Sequence, residues 1–147
     1  MRLLGVLFAW IVAVFVAYLA AVIASSSMVL ADLVSIGRGV SVGAWLRTVV
    51  HDLGAMSLYL AVIAGGFAIA FFVADLVKSA LPALAGIAYP MAGAVAIATA
   101  LGVMEAKYGI LPILGAQSGP GLWLQIGAGV LGGIAFELLR PKARDEV

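Results

Sequence analysis

The chain has no cysteine, one histidine, and only eight basic and seven acidic residues in 147. Without cysteine there can be no disulfide, thiolate metal site or thiol nucleophile. A single histidine excludes an H-E-x-x-H zinc motif and a haem held by two histidines of one chain. There is no G-x-S-x-G with triad partners and no glycine-lysine phosphate loop. A formal net charge of +1 gives no electrostatic footprint for nucleic acid. No catalytic, cofactor or metal site is therefore expected, and the reading leans away from an enzyme.

What fills the space is apolar. Hydrophobic residues make up 65% of the chain and charged residues 10%, against about 25% charged in an ordinary soluble domain. Exposing that much apolar surface to water costs roughly 25 cal/mol per Å², which a fold of this size cannot sustain. Lipid is the expected solvent.

The charges leave four long gaps: Leu3 to Ala31, Leu53 to Ala74, Ser79 to Met104 and Tyr108 to Phe136. A hydrocarbon core of about 30 Å needs roughly 20 residues of helix, and helix satisfies its own backbone there. An all-α membrane protein follows, a single domain over 1–147 and a four-helix bundle with spans near 3–28, 54–77, 82–104 and 121–140. The first apolar run exceeds the roughly 7–15 residues of a signal peptide core, so it reads as an uncleaved span. Pro82 suits the first turn of the third span, Pro90 predicts a kink near Ala88 and Tyr89, and Pro141 stops the fourth.

Four spans put both termini on one side, with Arg2, Lys78, Arg140, Lys142 and Arg144 facing Arg38, Arg47 and Lys107 opposite. That excess predicts cytoplasmic termini in a plasma (inner) membrane. Trp45, Tyr59, Tyr108 and Trp123 then fall near the outer interface, where amphipathic rings are favoured.

Small residues recur every fourth position: Gly66, Ala70 and Ala74; Ala92, Ala96 and Ala100; Gly129 and Gly133, beside Ala128 and Gly132. Such rows let helix backbones approach, a main source of association where lipid supplies no hydrophobic drive. They are candidate helix contacts, within the bundle or with a second copy or another membrane protein. The sequences Asp75-Leu76-Val77-Lys78 and Glu137-Leu138-Leu139-Arg140 share an acid-x-x-base pattern, but the glycine pairs 65–66 and 132–133 stand at different distances from them, so no repeat is assigned.

Between spans one and two, Val42, Trp45, Leu46, Val49, Val50 and Leu53 recur at helical spacing after a Ser41 N-cap. They predict a short amphipathic helix lying in the interface or extending the second span. The apolar segment 108–120 is expected to cover the helix ends, dip into the membrane or contact another chain.

Candidate polar positions are few. Glu137 is the deepest acid, within reach of Arg140 three residues on, and a boundary ion pair is the expected role. Arg47, His51 and Asp52, with Glu105 and Lys107, are expected to meet at the outer ends of spans two and three, a weak pH-sensitive, metal or anion site. The favoured function is a structural or accessory membrane subunit working through helix contacts, with lipids and a homo-oligomer or another membrane protein as partners. An oligomeric transporter or channel comes second. An enzyme acting on lipid or quinone through His51, Asp52 or Glu105 comes third.

Overall fold

A computed structural model describes residues 2–141. Lys142 and Arg144, counted above for orientation, lie outside the described residues. Five α-helices are present among them: α1 (Arg2–Ser35), α2 (Val42–Ala55), α3 (Ser57–Ala80), α4 (Ala88–Tyr108) and α5 (Gly119–Leu139). Four of them, all but α2, are long and apolar enough to cross a membrane. The protein is an all-helical membrane bundle.

α5, the last helix, is flanked by α1 and α4, while α3 packs against α4 and α1 to complete the ring. α1 and α5 run antiparallel in one register: Gly5 lies against Pro141, Ala17 against Gly132, and Ala21 opposite Gln125. The α4–α5 contact is tighter. A Cβ on Gly93 would overlap the Gly129 carbonyl, one on Gly129 would overlap the Gly93 carbonyl, and one on Gly133 would overlap the Tyr89 carbonyl. Backbone therefore touches backbone, which maximises dispersion contact where lipid chains compete equally for any larger side chain. Gly132 serves a different neighbour, since the Phe67 ring occupies the place of its missing side chain.

That ring begins an aromatic block filling the bundle axis. Phe67 packs on Phe71 at 4.8 Å between centroids, Phe71 stacks on Phe136 at 4.4 Å, and Tyr89 meets Phe136 edge-on at 4.8 Å. Phe67, Phe71, Tyr89 and Phe136 are all buried, whereas Phe72 faces outward.

Three local features differ from expectation. α1 does not stop near residue 28 but runs to Ser35, where Gly37 adopts a left-handed φ of 82°. Its 34 residues span about 51 Å at 1.5 Å per residue. Ser26 and Ser27 do not end it because their hydroxyls bond to α2: Ser26 donates to Asp52 at 2.7 Å, and Ser27 accepts from the Trp45 indole at 3.1 Å. Pro82 starts a separate 3-10 turn, Pro82–Leu84, instead of the third span. Pro90 produces no kink, because α4 begins at Ala88 and the first helical donor is Met91, bonded to the Ile87 carbonyl at 3.0 Å. A proline in that first turn removes an N–H with no partner within the helix.

α2 begins at the expected cap, with the Ala44 N–H donating to Ser41 Oγ at 3.2 Å. It packs on α1 and joins α3 across Met56 alone. The apolar 108–120 segment folds over the bundle end, burying Ile113, Gly115 and Ala116, with Gly115 against the Ser25 backbone.

Replacing Gly129 or Gly133 by leucine should destabilise the bundle by several kcal/mol, beyond the 1–3 kcal/mol of ordinary overpacking, because backbone cannot move aside. Gly127→Ala, where no atom lies within 4 Å of the new methyl, should be neutral. Detergent titration followed by circular dichroism compares them.

Candidate functional site

Polar groups are sparse in this core, so each one's partner is informative. At the end of the bundle where α1 starts and α5 stops, α3 ends in Asp75-x-x-Lys78 and α5 in Glu137-x-x-Arg140. The pairs form between the helices. Lys78 Nζ lies 3.0 Å from Glu137 Oε2, and Arg140 Nη1 lies 2.9 Å from Asp75 Oδ1. Glu137 thus pairs with Lys78, not with Arg140 of its own helix. α4 supplies the centre: the buried Tyr89 hydroxyl donates to Asp75, while Lys78 and Arg140 stand 4.5 and 4.8 Å from its ring centroid. Two cations, two carboxylates and one phenol are all engaged. The expected boundary role for Glu137 and Arg140 acquires partners that only the tertiary fold supplies, and the matching acid-x-x-base spacing is what lets both pairs form.

A second polar constellation escaped the sequence reading. Gln125 on α5 is fully buried; its Oε1 accepts from the Tyr59 hydroxyl of α3 at 3.1 Å, and its Nε2 donates to the Ala21 carbonyl of α1 at 2.9 Å. One side chain thereby ties three helices. The available signal was a lone glutamine inside a charge-free span, a group that hydrocarbon cannot leave unpaired.

At the opposite end, Arg47 among the described residues bonds within its own helix, to the Gly43 carbonyl at 3.4 Å, and His51 is exposed. Asp52 is taken by Ser26. Lys107 lies 5.6 Å from the Tyr108 ring centroid. Among the described residues no ion pair joins Arg47, His51 or Asp52 to Glu105 or Lys107, and no three acidic or histidine side chains gather as a metal site. The outer cluster is therefore not assembled, because α2 turns its acid toward α1 and leaves its basic face outward. Ser41 caps α2, with no histidine or carboxylate among its described hydrogen bonds.

The small-residue rows also divide. Gly129 and Gly133 are consumed in the α4–α5 contact, whereas Gly66 meets Ala96 only at ordinary distance, 3.7 Å for a Cβ. Gly66 and Ala70 line an open groove between α3 and α4, with a volume of about 1490 Å³ and an almost wholly apolar lining. This groove runs along α3 and α4 and is open along its side.

Comparison of the chain with protein-family models, curated protein sequences and solved structures gives no match.

Gln125→Leu should cost about 1–2 kcal/mol by stranding the Tyr59 hydroxyl, and adding Tyr59→Phe should recover part of it; a double-mutant cycle of unfolding measures both. For the paired ends, Lys78→Glu alone should destabilise by about 1 kcal/mol or more, discounted for partial exposure, with Glu137→Lys in the same chain restoring much of the loss.

Proposed function

We propose that this protein is a small accessory subunit of a membrane assembly, acting through helix contacts and not as a conduit. The observation that carries the reading is the filled bundle axis: the glycine contact between α4 and α5, the aromatic block and the Gln125 clamp occupy the interior. A solute pathway needs a polar, hydrated lining and ionisable groups along it. Here Gln125 is bonded to Tyr59 and to the Ala21 carbonyl, the Trp10 indole N–H is the one buried side-chain polar atom without a partner among the described residues, and both ion pairs sit at a helix end. A pore between copies gains no support from the outer faces either, where Ile69, Phe72, Val95 and Leu131 are exposed. The surface is what remains for function.

The reading extends to a plasma (inner) membrane with both termini cytoplasmic, on the balance of basic residues set out above. In that orientation α2 lies on the outer face with Val42, Leu46 and Val50 exposed, suited to rest among lipid headgroups.

Gentle extraction from the native membrane followed by intact-complex mass measurement should recover the chain with a foreign subunit. A bare monomer would overturn the accessory role, and a homo-oligomer with ion conductance would replace it by a channel. Cysteines introduced at Ser118 and Val147, in a chain with no others, should react from opposite sides, Val147 from inside. Labelling of Val147 from outside would invert the topology.

A further inference from the structure

The α3–α4 groove has a shape, a length and a charge that narrow its occupant. Its floor is built from two facing rows, Gly66, Ala70 and Ala74 on α3 and Ala92, Ala96 and Ala100 on α4. The lining continues from Leu58 and Tyr108 at one end to Val77 and Ala88 at the other. Twenty residues of helix cover about 30 Å, the full thickness of the hydrocarbon. α3 has the smallest buried share of the four spans.

Length separates the possible occupants. A lipid chain belongs to one leaflet and reaches about 15 Å, half the hydrocarbon, so it matches half the groove; a transmembrane helix matches all of it. A second copy related by a two-fold axis through the groove would set this concave face against itself and leave a void.

Charge adds a constraint. Among the described residues Lys107 is the one charged residue lining the groove, at the end beside α2. The ion pairs of the described residues use Lys78 and Arg140 and leave Lys107 with the Tyr108 ring. A carboxylate at the same depth is its electrostatic complement, and near the membrane boundary such a pair is less screened than in open water.

We propose that this groove seats one transmembrane helix of a foreign membrane protein, presenting a row of Gly, Ala or Ser and carrying an Asp or Glu level with Lys107. The inference rests on the accessory reading and names its contact.

The test uses the full chain in phosphatidylcholine vesicles, donor-labelled at a cysteine replacing Ser118, and acceptor-labelled synthetic helices of about 20 residues. One peptide carries glycine and alanine at four-residue spacing with a terminal Asp; the control is all leucine. Energy transfer to the first should saturate at about one-tenth the peptide-to-lipid ratio of the control, a tenfold change corresponding to about 1.4 kcal/mol. Ala96→Phe should abolish that preference. Lys107→Glu, an exposed change that leaves the packing intact, should weaken the Asp peptide about tenfold and favour one with Lys instead.

Equal transfer from the leucine control would overturn the proposal, as would indifference to both substitutions. Transfer between labelled copies of the chain that Ala96→Phe removes would assign the groove to a second copy. Phospholipid that stays bound in intact-mass spectra and that excess peptide does not displace would assign it to lipid. Either result would overturn the proposal. A native complex that survives both substitutions would remove the groove and leave the accessory role standing; absence of a foreign subunit from native complexes would remove the role itself, whatever the peptides do.

Discussion

The approach of α4 to α5 at Gly93, Gly129 and Gly133 governs the rest of the bundle. Because carbonyl oxygens occupy the space of three missing side chains, the two backbones are fixed in both distance and register. That register brings Tyr89 beside Phe136 and places Arg140 and Glu137 where the end of α3 can meet them. Phe67, admitted by Gly132, then reaches across from α3. In water a larger apolar side chain at these positions would gain burial. In lipid that gain vanishes, so contact area and backbone proximity decide.

Polar groups follow the same logic at lower density. The interior tolerates Gln125 because both ends of its amide are bonded, to Tyr59 and to Ala21. The four charges near the termini are tolerated because they neutralise one another around Tyr89. Specificity in this bundle therefore comes from a few directional contacts superimposed on a close-packed but chemically uniform interior.

Much of this was legible beforehand, for identifiable reasons. Charge-free intervals locate membrane helices because hydrocarbon penalises every ion, so four spans and the fold class could be read directly. Ends were harder. The first span was expected to end near residue 28, yet Ser26 and Ser27 there bond to α2 and the helix continues. Pro90 resembles a kink until the helix start is known, since a missing N–H matters only beyond the first turn. Glu137 and Arg140 stood out as charges, but their partners on α3 depend on packing. Gln125 carries no charge and was lost among apolar neighbours. Gly66 and Ala70 share the spacing of Gly129 and Gly133, and spacing alone does not say which row is covered.

The first and last spans are neighbours, and this sets the order in which the molecule can close. α1 leaves the ribosome long before α5 exists, and its Ala9, Ala13, Ala17 and Ala21 face has no other helix to bury it so fully. Asp75 and Lys78 likewise enter the membrane boundary before the charges that will neutralise them. Until α5 is made, the nascent chain is an open three-span intermediate whose alanine face meets lipid and whose Asp75 and Lys78 lack the partners that α5 later supplies.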